Sequence, residues 1–334
     1  MLIIFNSATI LVGDTMKQIT YAIYEILREC SDENHPLTRH EILNLLEQRY
    51  DIHITRQTLK THFDALMDIG IEVSSYEANR GYYLITREFE KSEIHLLCNA
   101  IFSSHFIPES DSNQLIDRFL KTQSKYNAKA FKNNVYVKNS RKTINKQFFL
   151  NIEMILEAIQ KNRAISFNYM KYNHAKEFVP RREKRYLIHP FHIVYANENF
   201  YLICMNDHYD DLSHYRIDKM QDIQIEEIPL KKLGKSFDPY EYSKTKIYMY
   251  GGTEERITLL CDDMILDDII DRFGREVLIQ KANNNQFEAR IKSSRQGIIY
   301  FALQFSKYCK IIDPIDLKEE MISILENTLE KYKS

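Results

Sequence analysis

After an apolar opening stretch, Ile19, Ala22, Ile23, Ile26 and Leu27 recur at helical spacing and predict a helix over residues 17–30. Residues 31–36 are polar and turn-like. Thr38-Arg39-His40-Glu41 then matches the capping-box pattern, in which Thr and Glu satisfy each other's backbone donors, and Ile42, Leu43, Leu45 and Leu46 supply the buried face of a second helix ending near Tyr50-Asp51. Extended Ile52-His53-Ile54 leads to Thr55, an N-cap for a third helix over 56–68 that turns Leu59, Phe63 and Leu66 inward. Its outward face carries Arg56, Gln57, Lys60 and Thr61, with His62 at the margin: groups that reach phosphates or base edges. Strand-like residues 71–76 and 82–85 flank Glu77-Ala78-Asn79-Arg80-Gly81, a hairpin whose tip presents Arg80. Three helices and a hairpin, with the third helix polar outward, form the order of a winged helix-turn-helix, which lays a helix in the major groove of duplex DNA.

The period then stays helical over 90–106, 112–121 and 147–160, with a polar, basic stretch at 122–146 that reads as irregular. From Ala164 the pattern switches to alternation, giving short strands at 164–169, 186–188, 191–195, 200–205, 213–217 and 223–228, with Asn197-Glu198-Asn199 as a turn. A small barrel hides the edges of so few strands. Beyond a linker at 243–252 the order is strand 256–261, helix 265–273, hairpin 277–281 with 286–291, helix 296–305, strand 309–312 and helix 315–332. That β-α-β-β-α-β order is ferredoxin-like. The expected fold is multidomain α+β: a tail at 1–15, a winged helix-turn-helix at 16–88, a helical connector at 89–150, a β-barrel at 151–232 and a ferredoxin-like extension at 250–334.

Charge sharpens this picture. The net charge is only −2, and residues 1–87 hold twelve acids against eight bases, so the helix-turn-helix gains little from phosphate neutralisation. Eight Lys or Arg and no acid lie between Lys121 and Lys146, and Arg181, Arg182, Lys184 and Arg185 form a second cluster, read either as a face for an anionic partner or as solvated linker. Five scattered cysteines suit buried thiols in a reducing, cytoplasmic setting. No apolar run is long enough for a transmembrane helix, and the first fifteen residues, which lack a basic n-region, read as a tail or an upstream start before Met16.

Three segments carry the most specific signal: Ile188-His189-Pro190-Phe191-His192-Ile193-Val194-Tyr195, Asn199-Phe200-Tyr201-Leu202-Ile203 and His214-Tyr215-Arg216-Ile217-Asp218-Lys219-Met220. In order and spacing they resemble the motifs of the WYL-domain family of bacterial transcription regulators, with Phe200 where the family has its Trp. The resemblance implies an Sm-like or SH3-like barrel that senses a ligand, a nucleic acid or nucleotide-like molecule, through Tyr201, His214, Arg216 and Lys219. Arg182 and Arg185, with Arg181 and Lys184, would form an electrostatic rim. Tyr stacks, Arg pairs bidentately with phosphate and Lys supplies point charge. Two readings stay open at two of these positions: Tyr201 as barrel core, and Arg216 as the internal partner of Asp218. Asp271-Arg272-Phe273-Gly274 and Ile312-Asp313-Pro314-Ile315-Asp316-Leu317 resemble, more weakly, the extension that accompanies such barrels.

No phosphate-cradling glycine motif, HExxH or GxSxG occurs, and His189 and His192 have no carboxylate or cysteine at metal-ligand spacing, so neither an enzyme, a cofactor nor a metal is expected. The expected function is a homodimeric transcription regulator that reads double-stranded DNA. The alternative is an RNA or single-stranded nucleic-acid binder that uses the barrel, with the helix-turn-helix as a protein-contact module.

Overall fold

The computed structural model describes residues 12–76, 80–134, 142–206, 212–232, 254–283 and 285–333, and divides into two compact units, 1–142 and 143–334. It is a mixed α and β protein, with helices leading and antiparallel sheets following.

In the first unit, α1 (Val12–Cys30), α2 (Arg39–Tyr50) and α3 (Arg56–Asp68) close on Ile23, Ile26, Leu27, Ile42, Leu46 and Leu59, each fully buried. Each such side chain contributes roughly 1.5–3 kcal/mol. The capping box forms as expected: Thr38 Oγ1 accepts from Glu41 N–H at 3.3 Å and the Glu41 carboxylate accepts from Thr38 N–H at 2.7 Å. Those bonds from Thr38 hold the Glu41 carboxyl below the usual carboxylate range. The segment after α3 doubles back, bridging Val73 to Leu84, and Leu37 pairs with Tyr82 ahead of α2. Gly81 permits that pairing, because a Cβ there would lie 2.9 Å from Pro36 Cβ and 3.0 Å from the Leu37 carbonyl oxygen. Residues 77–79 of the expected hairpin tip lie outside the described residues; Arg80 is exposed, with φ of 56°.

Helices α4 (Lys91–Ser103), α5 (Glu109–Leu120) and α6 (Lys125–Asn134) complete the unit. Helix α6 overturns the irregular reading of 122–146. Its start is set by Ser124, whose Oγ accepts from Asn127 N–H at 3.1 Å, and its Ala128 and Phe131 pack on Ile94, Cys98 and Leu120. Ser124 also donates to the buried Asp32 carboxylate at 2.5 Å, which His35 Nδ1 and Asn34 N–H join at 2.8 and 3.0 Å. Burial would raise that carboxyl, but the hydrogen bonds outweigh it and hold its pKa low. Arg87 ties the helices together by donating to the carbonyls of Ser31 at 2.6 Å, Arg28 at 3.0 Å and Thr122 at 3.3 Å.

Two cations of the basic run are already engaged within this unit. Lys132 pairs with Asp117 at 2.8 Å. Lys142 is caged by the Ile101 and Ser104 carbonyls and Ser112 Oγ at 2.7–3.2 Å, and burial lowers its pKa. Lys132 and Lys142 are therefore not simply solvated linker; Lys138 and Arg141 lie outside the described residues.

In the second unit, α7 (Phe148–Gln160) packs on a six-stranded antiparallel sheet: β1 (Arg163–Tyr172), β2 (Phe178–Pro180), β3 (Tyr186–Ala196), β4 (Asn199–Asn206), β5 (Leu212–Arg216) and β6 (Met220–Pro229). The order is β2-β1-β3-β4-β5, with β6 paired to β1 and a 3-10 turn, Ile217–Lys219, joining β5 to β6. The sequence had read β3 as two strands; it runs unbroken through Pro190, past the end of its pairing with β1, and shifts register between Pro190 and His192. Asn197 and Glu198 take φ of 47° and 60°, the left-handed pair that a two-residue hairpin turn requires.

The C-terminal part holds β7 (Glu254–Asp262), α8 (Leu266–Phe273), β8 (Leu278–Asn283), β9 (Gln286–Ser294), α9 (Arg295–Gln304), β10 (Cys309–Asp313) and α10 (Ile315–Lys333), with its strands ordered β10-β7-β9-β8. The expected linker at 243–252 lies outside the described residues. Among the described residues no helix is long and apolar enough to cross a membrane.

Gly81→Ala is expected to lower unfolding stability by about 1–3 kcal/mol, the usual result of forcing a methyl into a filled space. Urea unfolding followed by circular dichroism measures it; an unchanged midpoint would refute the close approach to Leu37.

Candidate functional site

The site is built from α7 upward. Among the apolar residues of this helix Asn151 is 1% exposed, and Asn145 just before it is equally buried. Asn145 Nδ2 donates to the carbonyls of Asp218 at 2.9 Å and Met220 at 2.6 Å, and Asn151 Nδ2 to those of Ile217 at 3.2 Å and Met220 at 2.7 Å. Together with the bond from Met220 N–H to the Ile217 carbonyl, these two amides fix the 3-10 turn in space.

The turn delivers Asp218, which grips Arg216 with both oxygens: Nε to Oδ1 at 3.0 Å and Nη2 to Oδ2 at 2.7 Å. The internal-pair reading of Arg216 is thus realised. The guanidinium side chain still keeps 28% exposure, enough to meet a ligand, while the carboxylate is nearly closed off at 7%. Burial works against the Arg216 charge, but the hydrogen bond and charge of Asp218 outweigh it and raise the pKa.

Tyr201 lies directly opposite Arg216 across the β4–β5 ladder, and both are half-buried. His214, two residues back on β5, shares the Arg216 side of the strand and faces Ile203. Lys219, also half-buried, follows in the turn; burial and then the like charges of Arg216 and Arg181 lower its pKa against the pull of Asp218. Four of the predicted ligand residues, Tyr201, His214, Arg216 and Lys219, are therefore gathered around one corner.

A cluster of rings that sequence reading did not single out supports this corner. Tyr169 and Tyr215 pack edge to face at 5.0 Å, Tyr186 lies 5.4 Å from Tyr215, and Phe167 stacks on Tyr186 at 5.5 Å. The Tyr169 hydroxyl accepts from the Arg216 backbone N–H at 3.3 Å. Burial pushes the hydroxyls of Tyr169 and Tyr215 up to about 12. The only sequence signal for the cluster was aromatic alternation on β1.

The two remaining candidates are placed differently. Arg182 lies flat over Tyr186, 3.5 Å from the ring centroid, and donates to the Lys184 and Arg185 carbonyls at 3.0 and 3.1 Å. It reaches the corner through the rings. Arg185 is not brought there: it donates to Ser166 Oγ and the Ser166 carbonyl at 3.0 Å and to the Asp222 carbonyl, locking β1 to β6.

In the first unit, Arg56, Gln57, Lys60 and Thr61 are all exposed on α3. His62 is not: it is 2% exposed. Thr20 Oγ1 donates to Met16 O at 2.9 Å and so accepts from His62 Nδ1 at 2.7 Å, and burial lowers the imidazole pKa. Among the described residues no group of three or more His, Cys, Asp or Glu is placed to hold a metal ion.

A half-buried Tyr, a braced Arg and a neighbouring Lys thus lie together at the corner of a small sheet. Residues 151–225, which contain this corner, match the family model of the WYL domain. No curated protein matches the sequence. Two solved structures align along most of it. One is the proteasome accessory factor B/C (PafBC) of Arthrobacter aurescens, at 12% identity over 96% of this chain and 55% of that one, with a TM-score of 0.29. The other is a CRISPR Cas-related protein, at 16% identity over 98% of this chain and 88% of that one, with a TM-score of 0.36. The chain thus spans about half the length of the first.

Tyrosine in an unfolded chain loses its proton near pH 10. Tyr169 and Tyr215 hold theirs to about 12, so the stability their burial provides is complete below pH 10 and is lost as pH rises from there toward 12. Tyr169→Phe should flatten that decline, read as the urea midpoint against pH; an identical slope in both proteins would contradict the burial of this ring.

Proposed function

We propose that the chain is a DNA-binding transcription regulator whose WYL domain senses an anionic ligand, a nucleic acid or nucleotide-like molecule. The observation that carries the DNA reading is the division of α3: Leu59, His62, Phe63 and Leu66 are buried while Arg56, Gln57, Lys60 and Thr61 are exposed side by side. With α2 ahead of it and a bridged segment behind, from which Arg80 projects, this unit reads as a winged helix-turn-helix at 16–88, α3 being the helix that enters the major groove. The remaining domains follow as a connector at 89–150, an SH3-like barrel at 151–232 and a ferredoxin-like extension at 250–334. The acid excess of residues 1–87 argues for a homodimer, in which two units share the phosphate contacts. The corner around Tyr201, Arg216 and Lys219 is the sensor, and the protein does no catalysis.

The test uses the full chain, a random-sequence duplex pool and gel shift of the selected fragments. Arg56→Ala with Lys60→Ala should weaken binding at least tenfold, on the scale of about 1–3 kcal/mol per base-reading contact. Undiminished affinity would sink the assignment of α3. Arg216→Ala should leave duplex binding intact but abolish its response to added single-stranded oligonucleotide; a response equal to wild type would remove Arg216 from the sensor.

A further inference from the structure

Cys261 on β7 and Cys309 on β10 are directly opposed in the ladder of the C-terminal sheet. The Asp262 N–H bonds to the Tyr308 carbonyl at 2.8 Å, so the residues flanking the cysteines exchange the hydrogen bond and the cysteines themselves occupy a non-hydrogen-bonded pair. At such positions antiparallel Cα atoms approach to about 4.5 Å and side chains come closest. A disulfide spans Cα separations of about 4.4–6.8 Å. Both side chains point into the same core, Cys261 fully buried and Cys309 8% exposed. The other cysteines, Cys30, Cys98 and Cys204, lie on α1, α4 and β4.

We propose that Cys261 and Cys309 form an oxidation site, at which a peroxide converts the two thiols into an intrachain disulfide that fastens β10 to β7. The hydrogen bond from Cys261 lowers the Cys309 thiol, against the opposing effect of burial, and Cys309 is the more exposed of the two. Both features select it as the first nucleophile. Its thiolate attacks one peroxide oxygen; an S–O bond forms, the O–O bond breaks and the departing hydroxide takes the thiol proton as water. Cys261 sulfur then attacks the resulting sulfenic sulfur; the S–S bond forms, the S–O bond breaks and a second water leaves with the Cys261 proton. Two thiols are oxidised by two electrons in total and one hydrogen peroxide is reduced to two waters.

The full-length protein, reduced and then exposed to a small molar excess of hydrogen peroxide, is alkylated with N-ethylmaleimide, digested and weighed by mass spectrometry. The expected product is a peptide pair linked through Cys261 and Cys309, lighter by two hydrogens and separated again by dithiothreitol, while Cys30, Cys98 and Cys204 are recovered as thiols. Recovery of Cys261 and Cys309 as thiols, or linkage only between separate chains, would overturn the proposal. Cys261→Ser should leave Cys309 as a sulfenic acid that dimedone captures. Capture no greater than in wild type would remove Cys309 from the role of first nucleophile. The wild-type measurement stands whether or not the variant folds.

Discussion

The corner of the second unit's six-stranded sheet hangs from two buried carboxamides. Asn145 and Asn151 supply donors to the carbonyls of Ile217, Asp218 and Met220, and an unsatisfied buried polar group costs about 1–3 kcal/mol. The dependence runs in one direction. The amides hold the corner, the corner presents Asp218, Asp218 orients the Arg216 fork, and the ladder sets Tyr201 across from it. A ligand anion meeting Arg216 would meet a guanidinium whose plane is already fixed, so little rotamer entropy is left to lose. The same carboxylate competes with any incoming anion for that fork, which favours ligands bringing more than one contact, such as a ring to stack on Tyr201 as well as a charge.

Where local chemistry decided the structure, it was readable from the sequence. The Thr38 and Thr55 caps, the α3 face and the strand alternation after Ala164 all act within a few residues of their cause. What escaped depends on partners distant in the chain. Helix α6 was hidden because its lysines resemble linker, although Ser124 was a visible cap signal. Asn151 was legible as an oddity, an amide among Phe148, Ile155 and Ala158, but only the fold shows that it faces residues some seventy positions on. Arg185 looked like one more cation in a cluster; its attachment to Ser166 and Asp222 is a matter of tertiary packing. His62 failed as a surface residue for the same reason, since Thr20 reaches it from another helix.

Several cations of this molecule serve the fold itself. Arg87, Lys142 and Arg185 all direct their donors to backbone carbonyls, at sites where three chain segments meet or a strand corner needs a tie. Counting basic residues along the chain therefore overstates the field available to a polyanion, and the cations left exposed on α3 matter the more.

The turn between β3 and β4 is held from both sides. Its left-handed residues, Asn197 and Glu198, fit a two-residue loop, and Asn197 Oδ1 accepts from Arg272 of α8 at 2.8 Å. Hairpin turns are ordinarily where small sheets tolerate length variation, but here an inserted residue would break the tether to α8. It would also shift β4 by one position against β3. A turn well removed in sequence from the Arg216 corner thus acts as a gauge for it, setting by its length the register of the strand that carries Tyr201.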